Sequence, residues 1–248
     1  GIRYVTDPLS LGRPDLIILP GSKSTIADLE WLRETGLYQA ILAGYRNGSE
    51  ILGVCGGYQM LGRKLFDPET GEKAEGFGLL PIDTEFLPEK MTRQVNGTVL
   101  AEPFYGAKIG GYEIHTGRSV CYENKQGEEG AFCRLRTESG SDQIEANEFF
   151  DGCTAENVYG TYVHGLFDSG ELVEKMEKHF LDKRGLTESG SIEELQSGKK
   201  GKHDAGKTGG FTEKIKDFRA FQEDQYDILA ETVRKNLDMG AIYREMNL

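Results

Sequence analysis

The stretch Ile51-Leu52-Gly53-Val54-Cys55-Gly56-Gly57-Tyr58-Gln59-Met60-Leu61-Gly62 decides the fold. It opens as an aliphatic run suited to a strand buried in a sheet, and the run ends directly in a glycine-flanked cysteine before a helical pattern begins. This is the architecture of a nucleophile elbow. Gly53 and Gly57 leave room for the backbone to turn sharply and lift the thiol to the carboxyl edge of the sheet. The helix N-terminus beneath Cys55 is expected to favour thiolate over thiol. The Gly56 N–H is placed to donate to an oxyanion, an interaction typically worth about 10²–10³ in rate. A buried structural cysteine at a strand end is the blander reading, but it does not call for glycine on both sides of the turn.

Working outward, Asp15 to Leu19 is a second aliphatic run, ended by Pro20-Gly21, and is predicted to be a strand buried on both faces; Ile2 to Thr6 reads as a strand before it. Thr25 and Asp28 have capping-box spacing, and Ile26, Leu29, Leu32 then Leu37, Ala40, Ile41 recur at helical intervals, with Gly36 separating two short helices. Strand, helices and strand form a βαβ unit with a right-handed crossover, and a further helix is expected over Gly56 to Leu65. Downstream, Leu79 to Phe86, Gln94 to Leu100, Tyr112 to Ile114, Ala131 to Leu135 and Val158 to Val163 read as strands, some of them antiparallel. The fold class is therefore α/β, a mostly parallel sheet flanked by helices with some antiparallel strands. Glu171 to Arg184 is an amphipathic helix, and Phe218, Phe221, Gln225, Leu229, Val233 and Leu237 mark another; both are predicted to pack on the sheet.

Composition bounds the function. The 248 residues are 38% hydrophobic, enough for a core, and 29 Lys+Arg against 41 Asp+Glu leave a net charge of −12, which argues against nucleic acid as a partner. No apolar run approaches the roughly 20 residues that span a bilayer, and Gly1 to Val5 carries no secretion signal, so a cytoplasmic location is expected. The cysteines Cys55, Cys121, Cys133 and Cys153 show neither a zinc spacing nor a dense disulfide framework. Thr187 to Gly210 has no aromatic residue and six glycines and is predicted to be a flexible insertion. Within it, Gly201-Lys202-His203-Asp204-Ala205-Gly206-Lys207-Thr208 matches GxxxxGK[ST] letter for letter. A phosphate loop needs a hydrophobic strand before it and a helix opening at the Lys-Ser/Thr, whereas Ser197-Gly198-Lys199-Lys200 precedes this one and Gly209-Gly210 follows, so it reads as solvated linker.

A thiol nucleophile needs a base. Of the histidines, His203 lies in the linker and His179 on a charged helix. His164 ends the run Val158-Tyr159-Gly160-Thr161-Tyr162-Val163, a strand end expected at the same sheet edge as Cys55, and is the predicted base. His115, closing Gly110-Gly111-Tyr112-Glu113-Ile114, is the second candidate.

These residues resemble the class I glutamine amidotransferases, whose fold is flavodoxin-like, and within them the glutaminase domains of cobyric acid synthases. The resemblance is carried by Pro20-Gly21-Ser22-Lys23-Ser24-Thr25 with Asp28-Leu29, by Gly53 to Gly62, by Gly111-Tyr112-Glu113-Ile114-His115, and by Gly160-Thr161-Tyr162-Val163-His164-Gly165-Leu166-Phe167. It runs over most of the chain outside Thr187 to Gly210, making 1–248 one glutamine amidotransferase domain. Asp227, Leu229, Ala230, Val233, Arg234, Leu237 and Asp238 are similar to the family's closing helix. The resemblance implies that Cys55 attacks the glutamine carboxamide to give a γ-glutamyl thioester and ammonia, with His164 as proton shuttle. It implies oxyanion N–H groups from Gly21 and Gly56, glutamine binding by Gln59, and a site-edge place for His115. It also implies partners: a synthetase domain that uses ATP and magnesium, and the corrinoid substrate adenosylcobyrinic acid a,c-diamide. This domain itself is expected to hold no cofactor or metal.

The sequence departs from the wider class in one place. Most class I enzymes continue from histidine into Pro-Glu, where the glutamate orients the imidazole, but Gly165-Leu166 follows His164 here, so a Cys–His dyad or an orienting residue elsewhere is expected. The family's N-terminal synthetase domain has no counterpart in these residues, so the chain reads as a fragment of a larger protein. Two other readings carry less of the motif pattern: the glutaminase of another ligase (cobyrinic acid a,c-diamide synthase or a peptidoglycan lipid precursor amidotransferase), and a non-catalytic docking module.

Overall fold

The computed structural model describes residues 1–122, 128–137 and 148–186, with 228, 229, 231, 232 and 235. The chain divides into two compact units, Gly1–Gln196 and Ser197–Leu248. In the second unit the Thr232 hydroxyl donates to the Ile228 carbonyl at 2.8 Å and Lys235 pairs with Glu231 at 3.0 Å, both at helical spacing. The remainder of that expected helix, the stretch 187–210 and its GxxxxGK[ST] sequence lie outside the described residues.

In the first unit, β1 (Leu16–Leu19) and β2 (Glu50–Val54) pair in parallel, joined through α1 (Thr25–Glu34) and α2 (Leu37–Arg46). Gly36 breaks the two helices apart in the left-handed region at φ 79°, a conformation that glycine adopts without a Cβ penalty. On its other edge β2 pairs in parallel with β10 (Val158–Thr161), and β9 (Cys153–Ala155) completes the sheet antiparallel, giving the order β1-β2-β10-β9. The two inner strands, β2 and β10, are buried on both faces. The expectation that the first aliphatic strand is buried on both faces fails, because β1 is an edge strand whose Ile17 and Leu19 face the core while Ile18 stays 37% exposed.

The second sheet has seven strands: β3 (Lys64–Phe66), β4 (Lys73–Glu75), β5 (Ile82–Val99), β6 (Lys108–Cys121), β7 (Cys133–Thr137), β8 (Glu148–Asp151) and β11 (Val163–His164). Apart from the parallel β3–β5 pair it is antiparallel. Runs read from sequence as short separate strands merge here into the 18-residue β5 and the 14-residue β6. The merger hides in the sequence because Glu89, Lys90 and Glu85 on β5 face solvent, and because the register slips between Phe86 and Met91, where Pro88 is tolerated in an irregularity. Residues 1–6 form no strand: Ile2 and Tyr4 are exposed, and nothing described pairs with them.

Two local expectations also give way to tertiary contacts. The Thr25–Asp28 capping box is replaced, since the Ser22 hydroxyl donates to Asp28 and the Thr25 hydroxyl reaches Gln59 at 3.0 Å instead. The helix after Cys55, α3 (Gly56–Leu61), stops at Gly62, whose extended backbone sends the chain into β3. Further on, α4 (Gly170–Lys183) lays Leu172 and Met176 into a core shared with Val95, Val99 and Val163, each burial contributing about 2 kcal/mol. Cys121 and Cys153, far apart in sequence, bring their sulfurs within 3.0 Å where the two sheets meet.

Candidate active site

Cys55 sits between β2 and α3 with φ 52° and ψ −109°, outside the regions comfortable for a residue with a Cβ. The surroundings over-determine that conformation. Its N–H donates to the Thr161 carbonyl at 2.8 Å, its carbonyl accepts from Gln59 N–H at 3.0 Å, and the Gly57 N–H donates to Pro20 at 3.1 Å. Packing allows no other path: a Cβ on Gly57 would lie 2.0 Å from the Leu19 carbonyl oxygen. β1 and α3 can approach this closely only through glycine, so the residue pattern of the elbow follows from its geometry.

The predicted base arrives from a different direction than expected. Val158 to Val163 is not one strand ending at the Cys55 sheet edge. β10 stops at Thr161, Tyr162 carries the chain across, and β11 joins the second sheet, with His164 opposite Tyr112 of β6. The two sheets nevertheless deliver both groups to one point. A Cβ placed on Gly21 would be 2.9 Å from His164 Cε1 and 3.6 Å from Cys55 Cβ, so Gly21 is the spacer between thiol and imidazole. His164 Nε2 is buried without a hydrogen-bond partner, and among the described residues no carboxylate bonds to this ring.

The thiol is 7% exposed and donates to the Ile114 carbonyl at 3.5 Å. Burial pushes Cys55 up from its ordinary value, the Gly56 N–H opposes that rise, and the Asp151 charge adds to it. This runs against the expected preference for thiolate: desolvation outweighs the Gly56 N–H bond. The His164 imidazole lies on the far side of Gly21 from Cys55. Gly56 is pressed against the preceding loop, since a Cβ there would lie 2.7 Å from Ser22 N.

Comparison with known proteins places the chain in a family. The family model of the CobB/CobQ-like glutamine amidotransferase domain matches residues 1–172. The chain belongs to this family. Cobyric acid synthase of Alkaliphilus metalliredigens is 36% identical, covering 98% of this chain and 45% of its own length. That of Photorhabdus laumondii is 35% identical over 99% of this chain and 44% of its own, and that of Thermodesulfovibrio yellowstonii 39% identical over 92% and 40%. The chain thus spans under half the length of these relatives. A solved glutamine amidotransferase structure aligns at TM-score 0.42 with 16% identity, covering 74% of this chain and 86% of its own.

The remaining predicted site residues of this glutamine amidotransferase domain have definite places. Gln59 is buried behind the elbow, where its carbonyl accepts from Thr25 and its amide donates to the Tyr162 hydroxyl at 3.3 Å. His115 stacks on the Tyr162 ring at 3.8 Å, its Nδ1 lies 2.8 Å from the Gly117 carbonyl, and burial holds its pKa below the usual imidazole value. His115 and Tyr162 wall a cavity of about 450 Å³ with Arg93, Arg118, Ser119 and Tyr58, a wall to which Gln59, Cys55 and His164 do not contribute. Sequence reasoning missed Tyr162, which joins Gln59, Ser119 and His115, because a tyrosine inside an apolar run reads as core. Among the described residues no group of three or more His, Cys, Asp or Glu side chains is arranged to hold a metal. No helix among them is long and apolar enough to cross a membrane.

Proposed function

We propose that the chain is the glutaminase half of a cobyric acid synthase, releasing ammonia from glutamine at Cys55. The observation that carries this is the meeting of Cys55, in its strained elbow, with His164 across the bare face of Gly21. His164 takes the thiol proton as sulfur bonds to the glutamine Cδ. The Gly56 N–H, joined by the backbone N–H groups of Gly21 and Ser22, receives the charge that develops on oxygen. His164 returns the proton to the amide nitrogen as the C–N bond breaks, leaving ammonia and a γ-glutamyl thioester. Water then adds, losing its proton to His164, which returns it to sulfur as the C–S bond breaks and glutamate departs. Because the resting thiol is protonated, sulfur is activated when substrate and base are both in place. The relatives' greater length supports a further half beside this domain, which, as the family resemblance implies, would be a synthetase using ATP and magnesium to amidate corrinoid carboxylates of adenosylcobyrinic acid a,c-diamide.

The test is intact-mass spectrometry after treatment with diazo-oxo-norleucine, a glutamine-shaped electrophile, run beside Cys55→Ala. A single adduct mapped to Cys55, together with glutamate release from glutamine, is the expected result. No adduct and no hydrolysis, with or without a synthetase half supplied, would leave a docking module in place of an enzyme.

A further inference from the structure

Asp151 ends β8 and has no part in the chemistry above, yet it is a carboxylate only 6% exposed. Its Oδ2 accepts from the Thr161 hydroxyl and from Tyr162 N–H at 3.1 Å, with the Cys133 thiol 3.7 Å away. Thr161 passes this restraint on in both directions. Its Oγ1 accepts from Val163 N–H at 3.1 Å, and its carbonyl accepts from Cys55 N–H at 2.8 Å. The carboxylate therefore grips Thr161-Tyr162-Val163, the corner where the chain leaves the first sheet for the second. Cys55 hangs on one side of that corner, and His164 is the next residue on the other.

We infer that Asp151 is a positioning residue for the Cys55–His164 pair, acting through Thr161, which sets the distance between nucleophile and base. This deepens the glutaminase reading and rests on it. A two-residue strand such as β11 is held by few ladder bonds of its own, so the corner depends on side-chain acceptors to fix where His164 points. Bonds to an ionised acceptor are roughly twice as strong as neutral ones. Burial pushes the Asp151 carboxyl up to about 6, with the Thr161 hydroxyl and Tyr162 N–H opposing that rise and the neighbouring Glu113 adding to it. Glu113 is in turn paired to Arg93, which lies over the Phe149 ring, so the region carries its negative charge partly compensated. The grip on the corner is thus made by hydrogen bonds to a buried carboxyl group.

The experiment compares Asp151→Asn and Thr161→Val, singly and together, in the 248-residue chain. Turnover is normalised to the amount of Cys55 that diazo-oxo-norleucine titrates, so that unfolded molecules are not counted. Asparagine keeps the shape and one acceptor but loses the charge; valine keeps the shape and loses the relay hydroxyl. Each single variant is expected to lower kcat per titrated site by about 10–100-fold while KM changes by less than about threefold, since displacement of one reacting group by an ångström costs about that much. The double variant should be no slower than the slower single by more than about twofold, because both changes cut one chain of contacts. Unchanged kcat per site, a change in KM alone, or fully multiplicative losses would overturn the inference. A parent chain that neither hydrolyses glutamine nor is labelled at Cys55, with a synthetase half supplied as well as without one, overturns the glutaminase reading itself, and this inference with it.

Discussion

The strain at Cys55 can be measured by reversing an ordinary ranking. At an unstrained position alanine is more stable than glycine by about 0.5–1 kcal/mol, because glycine loses more backbone freedom on folding. Cys55 has φ 52° and ψ −109°, a region where a Cβ costs about 1–3 kcal/mol and glycine costs nothing steric. Cys55→Ala keeps the Cβ and the strain, whereas Cys55→Gly removes both. Both variants lose the same buried sulfur and its contact with the Ile114 carbonyl, so those losses cancel in the comparison. The strain less the entropy term leaves Cys55→Gly more stable than Cys55→Ala by about 1 kcal/mol, which in a chain of this size is about 2–4 °C in melting temperature. Urea denaturation of the two variants, followed by circular dichroism, reads the difference directly. If the alanine variant equals or exceeds the glycine variant, no strain is stored at the nucleophile, and the elbow is an ordinary strand-to-helix turn.

Other consequences follow from the same geometry. Gly57→Ala drives a Cβ to 2.0 Å from the Leu19 carbonyl oxygen, so it should cost about 3 kcal/mol in urea and abolish labelling of Cys55; a loss below about 1 kcal/mol would show that β1 yields easily. His164→Ala should lower glutamine turnover far more than His115→Ala, since His115 is stacked on Tyr162 and tied to Gly117 while His164 adjoins the thiol across Gly21; the opposite order in a glutamate-release assay would reassign the base. Because burial disfavours the thiolate, iodoacetamide alkylation of Cys55 without substrate should rise with pH to a midpoint above that of free cysteine, about 8.5, and a midpoint well below that value would restore the resting thiolate.

What was legible in the sequence is what local chemistry dictates. The elbow, Gly36 between two helices and the βαβ order of β1, α1, α2 and β2 all follow from short-range constraints: an aliphatic run, a helical period, a glycine where no Cβ fits. Gly21, Cys55 and His164 could be singled out for the same reason, since each sits at a punctuation mark in its own segment. The structure adds relations that no window contains. A two-sheet layout converts Val158 to His164 from one strand into two with a corner at Tyr162, and periodicity could not reveal it because both sides of the corner are buried alike. Asp151 was invisible for the complementary reason: Phe149-Phe150-Asp151 carries no motif, and a lone carboxylate ending a strand gives no hint that its donors lie on residues 161 and 162. The thiol's protonation state followed neither from the helix dipole nor from the motif, because both are local while desolvation is set by everything packed around the sulfur. The elbow motif therefore specifies where Cys55 stands, and the long-range packing of the second sheet, through Ile114 and the Asp151–Thr161 contact, specifies what surrounds it.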